Sequence, residues 1–209
     1  MNGKKLLLIG GGGHCLSVYD SVTEYDEVGV VEKDSESVQY SPLRVVGTDH
    51  DLLELLSSGW TDAFITVGSI GDTALRRKLY VMVKQIGFHI PVIIDPSAIV
   101  GSNVKMGEGC YVGKRAVINS YSVIGNCAII NTGAIIEHEC QIGHFSHISP
   151  GVILCGNVAI GDDVHIGAGT VIRQGLSVGN AAMVGMGSTV VKDISRSTKA
   201  YGNPCRVID

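Results

Sequence analysis

The chain has 209 residues, and its low charge already excludes several classes of protein. The formal net charge is −4 at pH 7 and no run of Lys or Arg occurs, which argues against nucleic acid or an anionic membrane as a partner. The apolar stretch 6–9 is too short for a signal-peptide core or a membrane span. The six cysteines match no metal-site or disulfide spacing, which favours a reducing compartment, so we expect a cytoplasmic protein.

The N-terminal part of the chain predicts a small parallel α/β sheet. Buried strands are expected at 5–9, 28–31 and 63–67, and helices at 15–23 and 72–87. Strands that alternate with helices in this way are typical of a parallel sheet. Pro91, Asp95 and Pro96 then mark the passage into a different kind of sequence. We therefore predict two domains, residues 1–94 and 95–209.

All three predicted strands end in residues that suit a ligand. They are, in chain order, Gly12, Gly13 and His14, then Glu32 and Lys33, then Gly68. Parallel sheets bind ligands beyond the carboxyl ends of their strands, and a glycine-rich turn before a helix lets a phosphate approach the backbone. A dinucleotide motif is incomplete, because Cys15 occupies the place of its third glycine. A nucleotide carried by the substrate, a dinucleotide cofactor and a tight turn without a ligand all stay open here.

The C-terminal part carries an aliphatic residue or Met at every sixth position. The members are Val100, Met106, Val112, Ile118, Ile124, Ile130, Ile136, Ile142, Ile148, Leu154, Ile160, Ile166, Ile172, Val178, Val184 and Val190. A period of six fits neither an α-helix nor an ordinary strand, whereas it is typical of a coiled prism with three hexapeptide sides per coil. At eighteen residues per coil, the repeat predicts about five coils.

Two further positions of the hexapeptide are small. Glycine follows the aliphatic residue at 101, 107, 113, 125, 143, 161, 167, 179 and 185. We interpret these glycines as corner residues that adopt positive φ. The fifth position is mostly small or β-branched, which leaves room for the chain to turn. Four cysteines within the repeat are interpreted as small core residues: Cys110, Cys127, Cys140 and Cys155.

Three segments together resemble one family of enzymes. They are LLIGGGGHCLSVYD, FITVGSI and INTGAIIEHECQIGHFSHIS. They are similar to segments of the hexapeptide-repeat sugar O- and N-acetyltransferases, which include sialic acid O-acetyltransferases and the bacillosamine-pathway enzymes that act on UDP-4-amino-4,6-dideoxy sugars. The resemblance covers essentially the whole chain. It implies a left-handed parallel β-helix that follows a Rossmann-like nucleotide-sugar-binding domain, with acetyl-CoA as co-substrate, no metal, and a homotrimer.

The resemblance also implies an activity and a substrate site. The activity is acetyl transfer to an amine, the 4-amino group of a UDP-4-amino-4,6-dideoxy sugar, in the synthesis of cell-surface glycans or glycoprotein sugars. Its alternative is O-acetylation of sialic acid. The positions that match the nucleotide-sugar site are Gly12, Gly13, His14, Glu32, Lys33 and Gly68. Related enzymes often carry two acids after the second strand, where this chain has Glu32 followed by Lys33.

Four histidines within the repeat are candidates for the chemistry. They are His138, His144, His147 and His165. Acetyl transfer from a thioester needs a base that removes the nucleophile's proton, and His titrates in the right range. His138 lies at an outward corner between Glu137 and Glu139, and a carboxylate on one ring nitrogen orients the imidazole and makes the other nitrogen more basic. By resemblance Glu139 is the orienting acid, with Glu137 as the alternative.

The eighteen-residue coil places these histidines relative to one another. His147 and His165 are eighteen residues apart and should stack on one face, about 4.8 Å from coil to coil. His138 is nine residues from His147 and should lie on the opposite side. A site that uses both would lie between two chains, as in a cyclic trimer. The resemblance implies that acetyl-CoA binds there, with a backbone N–H facing the developing oxyanion. The matching residues are His147, Gly156, Ala168 and Met186.

Two other functions fit parts of the pattern. The four histidines resemble the zinc ligands of prism-shaped carbonic anhydrases, in which three His surround the metal at a chain boundary. The acids on both sides of His138, and a tail YGNPCRVI that is similar to the Gly-x-Pro loop of CoA acyltransferases, argue against that alternative. A non-catalytic trimer that only binds nucleotide sugars is the other alternative, and the presence of both His138 and Glu139 argues against it.

Overall fold

The computed structural model describes residues 3–33 and 43–208. They form two compact units. The first contains the chain up to Ser69 together with Ala74–Pro91, and the second contains Ile70–Thr73 and the residues from Val92 onward. The break after Pro91 lies close to the predicted boundary at 94, but four residues of the N-terminal part, Ile70–Thr73, pack with the second unit. No helix in the described part of the chain is long and apolar enough to cross a bilayer.

The first unit is built on a four-stranded parallel sheet. Its strands, in the order β3-β2-β1-β4, are β1 (Lys5–Ile9), β2 (Glu27–Val31), β3 (Val45–Gly47) and β4 (Asp62–Ile65). Leu6, Leu7 and Leu8 are fully buried, as an interior strand of a parallel sheet requires. Strand β1 has the predicted bounds, and β2 and β4 lie within one or two residues of theirs. The predicted parallel sheet is confirmed.

Three α-helices within residues 3–33 and 43–91 accompany this sheet. They are α1 (Gly13–Tyr19), α2 (Leu52–Ser57) and α3 (Ala74–Ile86). Helix α1 begins and ends earlier than predicted, while α3 lies within the predicted range. Strand β3, a 3₁₀ turn at Asp49–Asp51 and α2 were not predicted. The turn is set by a reciprocal capping box, in which Thr48 N–H donates to Asp51 at 2.7 Å and the Thr48 hydroxyl accepts from His50 N–H.

The second unit is a three-sided parallel β-helix of two-residue strands. Side 1 contains β5 (Ile93–Ile94), β8 (Tyr111–Val112), β11 (Ile129–Ile130), β14 (His147–Ile148), β17 (His165–Ile166) and β20 (Met183–Val184). Side 2 contains β6 (Ile99–Val100), β9 (Val117–Ile118), β12 (Ile135–Ile136), β15 (Ile153–Leu154), β18 (Val171–Ile172) and β21 (Thr189–Val190). Side 3 contains β7 (Lys105–Met106), β10 (Val123–Ile124), β13 (Gln141–Ile142), β16 (Ala159–Ile160) and β19 (Ser177–Val178). A hairpin of β22 (Lys199–Tyr201) and β23 (Arg206–Ile208) extends side 1.

The strand register confirms the repeat. Paired residues on neighbouring coils are eighteen apart, as in Ile130 with Ile148. The second residue of each strand is the periodic aliphatic, and members such as Ile118 and Ile136 are fully buried inside the prism. Stacked aliphatic side chains therefore form a continuous core along the prism axis. Cys110 and Cys140 belong to this core, as predicted, whereas Cys127 is buried at a corner outside it and Cys155 is partly exposed.

The glycines after the aliphatic residues have a different role from the one predicted. None of them has positive φ; positive φ occurs two residues later, for example at Glu139 (φ 61°) and Asn157 (φ 56°). The glycines are needed because consecutive coils touch there. A Cβ at Gly143 would lie 2.4 Å from the backbone of Gly161, and one at Gly167 would lie 2.4 Å from the Met186 nitrogen. Close approach of the backbone, and not a left-handed conformation, selects glycine at these positions.

Candidate active site

His138 and Glu139 form a hydrogen-bonded pair at the corner between sides 2 and 3. His138 Nδ1 lies 3.0 Å from Glu139 Oε2, and both side chains are more than half exposed in the isolated chain. The carboxylate of Glu137 makes no such contact in the described residues, so of the two flanking acids only Glu139 contacts the imidazole. A carboxylate on Nδ1 favours the tautomer that carries its proton there, which leaves the Nε2 lone pair free.

The imidazole of His138 lies directly over Gly156, its neighbour on the next coil. A Cβ at Gly156 would lie 2.7 Å from both Cε1 and Nε2 of His138, so only glycine leaves room for the ring. The Gly156 N–H donates to no acceptor in residues 3–33 and 43–208. Within the described residues, an imidazole and an unsatisfied backbone donor thus belong to stacked residues of neighbouring coils. Acyl transfer uses a base and an oxyanion donor of these two kinds.

The residues implied for acetyl-CoA binding lie in different places of one prism. Ala168 and Met186 are eighteen residues apart and stack at the corner between sides 1 and 2. Met186 is 80% exposed, which is unusual for a large apolar side chain. Gly156 lies at the corner between sides 2 and 3, and His147 lies on side 1. One chain therefore does not bring these four residues together. The corner with Gly156 and the corner with Ala168 and Met186 are the two edges of side 2.

The stacked histidines of side 1 are confirmed. The rings of His147 and His165 are edge to face with centroids 5.1 Å apart, and their strands pair directly. The Asn131 amide lies 3.1 Å from His147 Nε2. Burial lowers the pKa of His165, because an imidazolium loses hydration there. His165 therefore favours its neutral form, and the pair packs as a stacked element of side 1.

His144 belongs to a ladder of polar side chains at the corner between sides 3 and 1. The ring Nδ1 of His144 accepts the backbone N–H of Asn126 at 2.8 Å. The backbone N–H of His144 donates to the Asp162 carboxylate at 2.7 Å. The Asp162 N–H in turn donates to Asn180 at 3.1 Å. Each side chain thus satisfies a backbone donor of the preceding coil that the strand pairing leaves free. The contacts of His144 are those of a structural residue.

Replacing His144 by alanine should lower stability without lowering turnover. One hydrogen bond is lost, so we expect a destabilisation of about 1 kcal/mol, measured by thermal or denaturant unfolding. His144→Asn should recover most of it, because the same ladder already uses Asn180 as an acceptor. A large loss of kcat at unchanged stability in His144→Ala would contradict the structural role.

The histidines that prompted the zinc alternative are dispersed. His138 and His144 lie at different corners, and His147 and His165 lie on side 1. Within residues 3–33 and 43–208, no group of three or more His, Cys, Asp or Glu side chains could hold a metal ion.

In the first unit, two glycines after β1 border open space. Gly10 has φ +106°, and a Cβ there would clash with Val67 at 2.6 Å, so the fold itself demands this glycine. Gly12 and Gly13 differ, because neither has positive φ and a Cβ at either position would meet nothing within 4 Å. Their N–H groups donate to no acceptor in the described residues. Space and free donors at these two positions suit a phosphate.

Glu32 and Lys33, predicted to contact the substrate, lie at the end of β2, and their ligand contacts stay a prediction. Glu32 Oε2 accepts the Gly11 N–H at 2.8 Å, and Oε1 accepts the Lys33 N–H at 2.8 Å, so the carboxylate holds the glycine turn. Lys33 lines a cleft at this edge of the sheet together with Asp49. Asp49 was not predicted from the sequence. Gly68 lies beside His14, with 3.7 Å between the position of a Gly68 Cβ and the His14 Cβ.

Comparison with known proteins found family matches for both units. The PglD N-terminal domain family matches residues 5–83, and the bacterial transferase hexapeptide family matches residues 139–174. PerB from Caulobacter crescentus, solved with CoA and GDP-perosamine, is 33% identical and matches over 100% of both chains with a TM-score of 0.92. The chain belongs to the hexapeptide-repeat sugar N-acetyltransferases.

Two further comparisons extend this result. The acetyltransferase domain of PglB from Neisseria gonorrhoeae, solved with acetyl coenzyme A, is 33% identical and matches over 99% of this chain and 100% of its own, with a TM-score of 0.90. WeeI from Acinetobacter baumannii has the same fold, at 22% identity over 97% and 99% of the two chains and a TM-score of 0.84. No curated protein matched in the sequence comparison.

Membership in this family confirms the predicted fold class and enzyme class. The prism is a left-handed parallel β-helix, and the protein is an acetyl-CoA-dependent sugar acetyltransferase. The pairing of a PglD-type N-terminal unit with hexapeptide repeats is the organisation that the sequence resemblance implied. Acetyl-CoA is the acetyl donor, as predicted.

Proposed function

We propose that this enzyme acetylates the amino group of a nucleotide-linked 4-amino sugar, with His138 as the general base. The observation that carries the proposal is the imidazole of His138, which Glu139 holds at Nδ1 and which lies over Gly156. The Gly156 N–H has no acceptor in the described residues. This arrangement supplies the base and an oxyanion donor at adjacent points, and both lie on rigid corners of the prism.

The reaction then proceeds by direct attack. The neutral amine of the sugar attacks the thioester carbon of acetyl-CoA while His138 Nε2 takes its proton. Glu139 stabilises the imidazolium that forms, and the Gly156 N–H donates to the oxyanion. The C–S bond breaks as the tetrahedral intermediate collapses, and the imidazolium returns a proton to the departing thiolate. The products are the N-acetyl sugar and CoA.

The nucleotide of the substrate is proposed to bind in the first unit. The open space and free N–H groups at Gly12 and Gly13 support a diphosphate at the carboxyl edge of the sheet. The resemblance in the sequence implies a UDP-sugar, whereas the PerB complex contains GDP-perosamine. Both nucleotides carry the diphosphate that these glycines suit. An acceptor amine is favoured over the hydroxyl of a sialic acid, because PerB is a perosamine N-acetyltransferase.

The acetyl-CoA site is proposed to form between chains of a homotrimer. The outward residues of side 2 are apolar or β-branched along its whole length: Ile99, Val117, Ile135, Ile153, Val171 and Thr189. Side 3 is mixed, since its outward residues are Lys105, Val123, Gln141, Ala159 and Ser177. If side 2 packs against another chain, the corner with His138 and Gly156 comes next to a partner corner with Ala168 and Met186. A fully active monomer in sedimentation experiments would contradict this arrangement.

The function is tested by a panel of acceptors with acetyl-CoA. We expect CoA release with UDP- and GDP-linked 4-amino sugars, and N-acetylated products by mass spectrometry. The panel includes sialic acid, CMP-sialic acid and free amino sugars. Turnover of a sialic acid with none of an amino sugar would overturn the proposal in favour of O-acetylation. Binding of NAD would instead support the alternative of a dinucleotide cofactor.

Substitution of Gly13 should affect the nucleotide sugar alone. A valine there enters space that the fold leaves open, so we expect Gly13→Val to fold normally and to raise KM for the nucleotide sugar about tenfold or more. KM for acetyl-CoA should change little. Gly10→Ala is the matched comparison and should instead lower the melting temperature, because of its positive φ and the contact with Val67. An unchanged KM for the nucleotide sugar in Gly13→Val would show that the phosphate does not bind at this turn.

A further inference from the structure

Two acids of the described residues, Glu32 and Asp49, line the cleft at the carboxyl edge of the sheet, and their hydrogen bonding differs. Both oxygens of Glu32 accept backbone N–H groups, from Gly11 and Lys33. Asp49 lines the same cleft but makes no hydrogen bond or ion pair within residues 3–33 and 43–208. Within residues 3–33 and 43–208, Glu32 thus accepts two backbone donors that hold the glycine turn, and Asp49 accepts none.

The surroundings of Asp49 indicate which kind of ligand its carboxylate would bind. The side chain is partly buried, and the cleft beside it has apolar walls that include Val31, Val67 and Leu75. A carboxylate among apolar side chains loses hydration that only hydrogen-bond donors or a cation restore. The capping box of Thr48 and Asp51 fixes the backbone on which Asp49 lies, so its carboxylate is held at the cleft by the turn.

We propose that Asp49 is the residue that binds the nucleoside of the substrate, and that Glu32 is a positioning residue that holds the glycine turn. The inference rests on the proposed function, which places the diphosphate at Gly12 and Gly13. A nucleoside offers hydrogen-bond donors that a carboxylate accepts, the ribose hydroxyls and the N–H groups of the base. The apolar walls at Val31 and Leu75 suit the flat face of the base.

The two roles predict different changes in binding. Asp49→Asn should raise Kd for the preferred nucleoside diphosphate about 10- to 100-fold and leave Kd for acetyl-CoA unchanged. Because Asp49 has no partner in the described residues, the melting temperature should also be unchanged. Glu32→Gln should weaken all nucleoside diphosphates by a common factor, since it acts through the Gly11 turn. Glu54→Gln is the matched charge control, because Glu54 is exposed on α2 and lies outside this cleft.

The test is calorimetry on the full chain with UDP, GDP and their 2′-deoxy forms. Asp49→Asn should change the ratio of the UDP and GDP affinities if the carboxylate binds the base, or remove the ribo-to-deoxy difference if it binds the ribose. Glu32→Gln should change neither ratio. Wild-type affinity in Asp49→Asn, or altered ratios in Glu32→Gln alone, would overturn the assignment and leave the proposed function standing. If the wild-type protein binds no nucleoside diphosphate, the proposed function itself fails, and the assignment with it.

Discussion

Replacement of His138 by alanine is expected to lower kcat by about 10²- to 10⁴-fold, the usual contribution of a positioned general base. KM for both substrates should change modestly, because the imidazole acts on the proton in transit and not on the bound ground state. The His138 side chain is more than half exposed, and in the part of the chain that the structure describes it bonds only to Glu139, so we expect the variant to fold. Steady-state kinetics on the intact oligomer provide the measurement.

The partner acid supplies the matched comparison. Glu139→Gln should cost less than His138→Ala, because Glu139 only orients and stabilises the imidazole. The double variant should be little worse than His138→Ala, since the acid acts through the ring and the two effects are not additive. Glu137→Gln is the control, because its carboxylate does not contact the ring. Near wild-type turnover in His138→Ala, or activity that a chelator abolishes and zinc restores, would refute direct transfer with this base.

The prism could be predicted in detail because a strict period repeats one physical demand many times. Each hexapeptide must bury one large aliphatic side chain, and a sequence that meets this demand at every sixth residue has a single register. Stacking at eighteen residues followed directly, including the contact of His147 with His165. The pairing of His138 with Glu139 was also within reach, because two neighbours in sequence needed only one choice between flanking acids.

The role of the repeat glycines could not be derived from one chain segment alone. A glycine signals either positive φ or a close neighbour, and the sequence does not show which neighbour lies above it. At Gly143 the neighbour is the backbone of the next coil, eighteen residues away. The left-handed corners include residues such as Glu139 and Phe145, whose residue types seldom adopt positive φ. The role of these glycines therefore follows only from the contact between consecutive coils in the folded prism.

The first unit was less predictable for a related reason. Its elements are short and occur once, so no repetition corrects an error. Helix α2 and the turn at Asp49–Asp51 escaped prediction, although Thr48 and Asp51 have the spacing of a capping box. The use of Glu32 to hold Gly11 depends on how two loops meet across the sheet edge, and the sequence places these residues twenty-one apart. Side-chain partners at such a distance follow from the folded sheet.

Gly156→Ala is the second substitution that should nearly abolish activity, and it does so without touching the base itself. A methyl group at Gly156 would lie 2.7 Å from Cε1 and Nε2 of His138, so the imidazole must move off its coil. A shift of about 1 Å in a catalytic group can cost about 10²-fold in rate, and we expect a loss of kcat of at least that order. Stability should fall little, because the exposed His138 ring can rotate toward solvent. Gly161→Ala is the matched control. Its Cβ would meet the Asn180 backbone nitrogen at 2.7 Å, so that variant should have a lower melting temperature than Gly156→Ala. Kinetics and thermal unfolding of the two variants separate the effects, and a Gly156→Ala enzyme with wild-type kcat would show that the ring position seen over Gly156 is not the catalytic one.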